Sequence, residues 1–199
     1  EDTPTAPQGA FVLPGQYTVV LKAGGREQRQ PLTVKMDPRV HTGDADLRAA
    51  LKFSQDVGAS LDMAYVGYAQ QKAVGERLDA LDGKLAARPA QKSLRDEIAS
   101  LRAKLQPDAG ATLDQASDFG ALSGQLAALE TDAESADTAP SAAQRDVLSS
   151  AGGRLTTAWQ GWQTLLQSSG FAKLNADLKA AGLQPVNVPP PDKLDAGEP

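Results

Sequence analysis

The chain has no cysteine and a single histidine among its 199 residues. Without cysteine it cannot form disulfides, thiolate zinc sites or a cysteine nucleophile. His41 falls in a predicted loop, and one imidazole builds neither a histidine-rich metal site nor a Ser-His-Asp triad without nearby partners. We therefore predict that His41 is a surface loop residue, and we expect no metal and no cofactor.

Aromatic residues, long apolar runs and basic clusters are also scarce. Aromatics make up 5% of the chain, and no run of 18 apolar residues exists to span a membrane. The formal net charge is -5 with no basic patch, so nucleic acid is not an expected partner. Neither G-x-G-x-x-G nor G-x-x-x-x-G-K-[ST] occurs, which leaves nucleotide binding without a motif.

Residues 11–36 have the pattern of a β-hairpin. Apolar and polar residues alternate on both sides of Gly24-Gly25, a pair suited to the two positive φ angles of a tight turn. Pro31 has no N–H to donate, so it predicts an edge or a bulge in the second strand. No later segment resembles a strand, and a lone hairpin is marginal in water. Residues 1–40 are thus expected to be a remnant of a larger β domain. The chain starts at Glu1 rather than at methionine, which fits the expectation of a cut or processed piece of a longer protein.

Residues 41–184 carry helical spacing in three arms of similar length. Short connectors at 88–91 and 136–140 favour antiparallel neighbours, which predicts an elongated up-down-up three-helix bundle. Breaks at 107–110 and 168–170 fall at matching heights in this arrangement. The alternative is four or five helices, with these breaks as true turns. The tail, residues 185–199, is rich in proline and is expected to be extended or disordered.

Helix ends have recognisable signals. Thr42 or Asp44 is expected to cap the first arm. Ser141 followed by Gln144 has the spacing of a capping box, and Gly182 suits the end of the last helix.

Carboxylates are plentiful, and paired carboxylates perform glycosidic chemistry when they face each other across a cleft. Here they fall on the polar side of the helical pattern or at helix ends, so we predict a solvated surface and no buried titrating pair. The residues are Asp79, Asp82, Asp96, Glu97, Asp132, Glu134 and Asp137. Asp108, Asp114 and Asp118 do not match the spacing of a calcium loop.

Two aromatic pairs and several glycines mark the helical arms. Tyr65 with Tyr68, and Trp159 with Trp162, are each three residues apart and share a helix face. They could form a stacking platform for a sugar or peptide, but core packing between arms is the preferred interpretation. Helical glycines either allow arms to approach closely or mark bends; they are Gly58, Gly67, Gly75, Gly152, Gly153 and Gly161.

Three stretches carry a family resemblance: PGQYTVVLKAGGREQRQPLTVKMDPRV (14–40), TAPSAAQRDVL (138–148) and AKLNADLKAAGLQPV (172–186). They resemble the C-terminal region of secreted bacterial β-propeller proteins with BNR (Asp-box) repeats, often described as sialidase-like or sortilin-like glycosyl hydrolases. The resemblance implies that the two strands close an Ig-like or fibronectin-like β domain, followed by a Leu/Ala-rich helical region. It also implies export to the periplasm, cell surface or medium.

The predicted fold class is mainly α: helical spacing gives an elongated antiparallel three-helix bundle, and the resemblance implies that the preceding hairpin comes from an incomplete Ig-like or fibronectin-like domain. No Asp-box motif (S-x-D-x-G-x-T-W) occurs here, so no hydrolase residue transfers and no catalytic, cofactor or metal residue is assigned. We expect a non-catalytic accessory or interaction module whose partner is an upstream propeller or Ig-like domain of the same protein. Alternatives are part of a glycoside hydrolase with upstream catalytic residues, or a helical element for self-association.

Overall fold

The computed structural model describes residues 9–105 and 118–191. Within them the protein is mainly helical, as predicted, with one β-hairpin and five α-helices. In chain order the elements are β1 (Gly15–Ala23), β2 (Arg26–Val34), α1 (Asp44–Leu85), a 3-10 turn (Pro89–Gln91), α2 (Lys92–Ala103), α3 (Phe119–Ala133), α4 (Ala142–Leu166) and α5 (Ser169–Ala180). None of the helices in the described part of the chain is long and apolar enough to cross a membrane.

The hairpin forms as the turn chemistry predicts. Gly24 and Gly25 have φ angles of 55° and 73°, which non-glycine residues rarely adopt. From this turn β1 and β2 pair antiparallel through nine residue pairs, from Ala23–Arg26 to Gly15–Val34. The register is continuous through the Thr18–Pro31 pair, so Pro31 lies in an edge strand without a bulge.

Local capping explains where several helices begin and end. Ser141 and Gln144 form the predicted capping box, with N···O distances of 3.1 and 2.7 Å. Gly182, at a φ of 72°, follows the end of α5, and the Leu183 N–H donates to the Leu178 carbonyl. The expected cap of α1 is wrong: Gly43 occupies the N-cap position without a side-chain bond. Thr42 instead donates its hydroxyl to the Asp137 carbonyl.

Contacts between helices define their directions. The first half of α1 packs on the end of α3 through Phe53, Val57 and Leu129. The last turns of α1 pair with α2, where Arg95 binds Asp82. Both α2 and α3 therefore run opposite to α1. α4 runs along α1, because its start packs near Phe53 and its Trp162 reaches Gln70.

Close approach of α3 to α1 occurs at Gly67, one of the glycines considered for this role. A Cβ on Gly67 would lie 2.5 Å from two carbons of the Phe119 ring. The same ring meets Trp159 of α4 edge to face, with centroids 5.1 Å apart. Trp162 is buried, and its Nε1 donates to Gln70 Oε1 at 3.1 Å. The prediction that the tryptophans pack in the core is confirmed.

The same prediction is wrong for the tyrosines. Tyr65 and Tyr68 remain 38% and 43% exposed. The face of α1 that α3 covers runs through Ala64, Gly67 and Val74, and the tyrosines follow one residue later, about 100° around the helix. At Gly152, Gly153 and Gly161 an added Cβ would meet no atom within 4 Å, so close approach does not explain these three glycines.

Two predicted breaks and the tail have different outcomes. The break at 107–110 lies outside the described residues. At 168–170, α4 ends at Leu166, and Ser168 caps α5 by accepting from the Phe171 N–H. Residues 185–190 belong to no helix or strand, yet Val186 is buried in the core. Its backbone N–H and carbonyl bond to the Asn175 side chain.

We expect Gly67→Ala to destabilise the helical region by about 1–3 kcal/mol, because the rigid Phe119 ring must move. Thermal unfolding followed by far-UV circular dichroism measures this change. The matched control is Gly161→Ala in α4, which meets no atom within 4 Å and should stabilise by up to about 1 kcal/mol through helix propensity. Equal gains in both variants would contradict the close contact at Gly67.

Candidate functional site

The surface of the hairpin is the most unusual feature among the described residues. Of its strand residues only Gly15 and Val34, at the base, are partly buried, and all others are exposed. Hairpins of this length normally pack one face on a core. The hairpin therefore stands outside the core that the helices form.

The two faces of the hairpin differ in polarity. One face carries Tyr17 opposite Leu32, then Val19 and Leu21. Leu21 is 62% exposed and Val19 is 52% exposed. The opposite face is mostly polar, although Val20 and Pro31 also lie on it. There the Thr33 hydroxyl donates to Gln16 at 2.9 Å, and Glu27 lies within ion-pair distance of Arg29 and Lys22. We call the face formed by Tyr17, Val19, Leu21 and Leu32 the apolar hairpin face.

The base of the hairpin meets the helical region around a small cavity of about 70 Å³. Residues 11–14 and Met36 line it from the hairpin side. Leu51 of α1 and Glu134, just after α3, line it from the helical side. The hairpin is thus joined to the helices at one end and projects from there.

Most of the carboxylates predicted to form a solvated surface do so. Asp82 accepts from Arg95 at 2.7 and 3.2 Å, and this hydrogen-bonded pair lowers the pKa of the carboxyl. Asp79 pairs in the same way with Arg102, at 2.9 and 3.2 Å. These two pairs tie α1 to α2 on the exterior.

The other acidic residues have equally structural surroundings. Asp96 pairs with Lys92 one turn away, and Glu97 binds Lys173 of α5. Asp132 accepts from the Gln144 side chain at 2.9 Å. Asp137 is exposed. Asp118 caps α3 by accepting from the Ala121 N–H at 2.8 Å, while Asp108 and Asp114 lie outside the described residues.

A cleft of about 600 Å³ lies between α1, α2 and the start of α3. Tyr68, Lys72 and Asp79 line it from α1, and Arg102 and Asp118 from the other side. Asp79 and Asp118 already have partners in Arg102 and the α3 cap. Across the described residues, no group of three or more histidine, cysteine, aspartate or glutamate side chains is placed to hold a metal ion. His41 is exposed in the loop before α1, as predicted.

Sequence reasoning missed one acidic residue, Glu130, which is only 3% exposed. It lies on α3 beside α1, with Oε1 3.7 Å from the position of a Cβ on Gly58. Burial raises its pKa, with further contributions from the charges of Glu134 and Asp62. Burial also raises the pKa of Glu134, whose Oε1 is buried without a hydrogen bond. Glu134, predicted to lie on the solvated surface, is therefore half-buried, and Glu130, which the sequence analysis did not single out, is buried.

The signal for Glu130 was present in the spacing. It follows Leu129 and lies four residues after Leu126, so it continues the apolar stripe of α3. A carboxylate at such a position is costly to ionise unless a cation is near. The acidic groups whose charges act on Glu130 are instead Glu134 and Asp62. This arrangement affects stability rather than indicating a ligand.

The chain matches no protein-family model, and no curated protein or solved structure is significantly similar to it.

We expect Glu130→Gln to stabilise the protein at pH 7 by on the order of 1 kcal/mol. A raised pKa means that the folded state holds the proton more tightly than the unfolded state does. The free energy of unfolding of the wild type therefore falls as pH rises from about 4.5, the ordinary pKa of the group, through the folded pKa. Urea unfolding at pH 4 and pH 7 measures the difference between variant and wild type, which should grow with pH.

The control for this prediction is Asp146→Asn, which removes a carboxylate from an exposed position on α4. It should show no comparable pH-dependent gain. A Glu130→Gln variant less stable than the wild type at pH 7 would contradict the cost assigned to the buried charge.

Proposed function

We propose that the chain is a non-catalytic accessory and interaction module in which the hairpin completes or docks on a β domain. One observation carries this proposal: a hairpin of nine residue pairs leaves its apolar face in solvent. Burying a valine or leucine side chain contributes about 1.5–3 kcal/mol, so covering this face would be strongly favourable. The occupant is a β domain, because within the described residues the hairpin is a two-stranded sheet whose outer edges are both unpaired and can continue a larger sheet.

The helical region supports this division of roles. Its core is closed by residues of all five helices and by Val186. The strands contribute no buried residue to that core. The helices are therefore stable by their own packing, whereas two strands alone are marginal. We assign the helices the role of a spacer or protein-binding surface that presents the hairpin.

We further propose a parent and a compartment from the resemblance of residues 14–40, 138–148 and 172–186. The parent is an exported β-propeller protein with BNR repeats, and the hairpin is part of its Ig-like or fibronectin-like domain. We also propose that α2 with α3, and α4 with α5, are interrupted arms of one elongated three-helix bundle. The common direction of α2 and α3, and the two residues separating α4 from α5, favour this description.

The test uses the polypeptide encoded ahead of residue 1 in the same gene, expressed as a separate protein. We expect it to bind the chain, and we expect Val19→Asp combined with Leu21→Asp to weaken binding at least tenfold, about 1.4 kcal/mol. The reason is that both substitutions place charge on the apolar hairpin face. Isothermal titration calorimetry measures the affinity.

The matched control is Pro31→Asp combined with Thr33→Asp, which adds the same number of charges to the polar face of the hairpin, on β2. It should retain binding within about threefold, or 0.65 kcal/mol from RT ln 3. Both double variants should keep the wild-type helical circular dichroism, because neither face contacts the core. Equal losses in the two variants, or a gene that encodes no β domain ahead of the hairpin, would overturn the proposal.

A further inference from the structure

The hairpin has two edges, and its register determines which backbone groups each edge presents. Ala23 and Arg26 flank a two-residue turn, and from there the pairs alternate between hydrogen-bonded and non-hydrogen-bonded. In β1 the backbone groups that point away from β2 therefore belong to Gln16, Thr18, Val20 and Lys22. In β2 the groups that point away from β1 belong to their partners, Thr33, Pro31, Arg29 and Glu27.

The two edges are not equally suited to accept another strand. Pro31 lies at an outward position of β2, so the outer edge of that strand lacks a donor near its middle. Glu27 and Arg29, which are charged, occupy two more outward positions of β2. Proline and charge are the features that keep edge strands from pairing. The outer edge of β1 keeps all four donors, and Lys22 is its one charged side chain among these positions.

Charge also bears on the partner strand. Residues 15–34 contain three basic residues, Lys22, Arg26 and Arg29, and one acidic residue, Glu27, in a chain with a net charge of -5. The hairpin is thus a basic element, with a net charge of +2 from these four residues, attached to an acidic helical region. An acidic side chain opposite Lys22 complements this edge.

We propose that an extended, acidic strand of the partner β domain adds to the outer edge of β1 and not to that of β2. This inference rests on the proposed function and specifies its geometry. Three strands with a common apolar face can be stable where two are marginal. The added strand widens the apolar hairpin face and satisfies the outward N–H groups of Thr18, Val20 and Lys22. The outer edge of β2 then stays unpaired and forms one edge of the enlarged sheet.

Amide hydrogen exchange measured by NMR tests the edge directly, with the polypeptide encoded ahead of residue 1 as the probe. In the chain alone, the outward amides of Thr18, Val20 and Lys22 should exchange rapidly, while inward amides such as those of Val19 and Leu21 are protected. On adding the probe, the three outward amides of β1 should slow by at least tenfold. Those of Arg29 and Thr33 on β2 should not.

Two proline variants provide an independent readout of the same edge. Thr18→Pro removes an outward N–H of β1, and Thr33→Pro removes one of β2, and neither deletes a backbone bond between the strands. Thr33→Pro also loses the side-chain bond to Gln16, so any damage to the hairpin itself is greater in the variant expected to keep binding. We expect Thr18→Pro to weaken probe binding at least tenfold and Thr33→Pro to weaken it less than threefold. Circular dichroism checks that the helices stay folded in both.

Each outcome decides between the proposals. Absence of binding by the wild-type chain overturns the proposed function and this inference with it. Binding that both proline variants weaken equally, or protection of the β2 amides, overturns the inference alone. Protection of the β1 amides that grows with chain concentration in the absence of the probe would show that a second copy occupies this edge, and would also overturn it.

Discussion

The helical region depends on one close contact, that of the Phe119 ring with the backbone of α1 at Gly67. The ring fills the place of a side chain, so α1 and α3 lie closer here than two side chains would allow. Trp159 also contacts this ring, edge to face, which joins α4 to the same point. One turn later, Gln70 bonds both Trp162 and the Pro189 carbonyl. A single stretch of α1 thus positions α3, α4 and the C-terminal segment.

This contact explains which features the sequence predicted and which it did not. The helices, the turn at Gly24-Gly25 and the capping box at Ser141 depend on residues that are close in the sequence, so spacing and turn chemistry predicted them. The buried face of α1 depends on a partner elsewhere in the chain. Spacing favoured a buried stripe through Tyr65 and Tyr68, because large residues usually fill a core. In the structure it is Gly67, between them, that packs against α3.

The same reasoning applies to the two other missed residues. Glu130 is buried because the apolar stripe of α3 carries it against α1, and local rules for charged residues favour the surface. Val186 is buried because Asn175 bonds both its backbone N–H and its carbonyl, which secures a proline-rich segment that composition alone would leave loose. For the candidate site, the alternation of β1 and β2 predicted both faces of the hairpin. The lack of further strands beside the hairpin was also predicted, because no later segment has a strand pattern. That no helix covers the apolar face could not be predicted, because it depends on long-range packing.

Electrostatics make the two ends of the helical region unequal. The end distant from the hairpin is held by cross-helix ion pairs, in which Arg95 binds Asp82 and Lys173 binds Glu97. Near the hairpin, burial raises the pKa of Glu130 and of Glu134, and the charges of Glu134 and Asp62 add to the effect at Glu130. Glu134 also lines the cavity under residues 11–14. Ionising Glu130 therefore has a cost at the end of the helical region that adjoins the hairpin. A partner that binds only the folded hairpin would stabilise the folded protein by mass action, and its binding free energy would offset part of that cost.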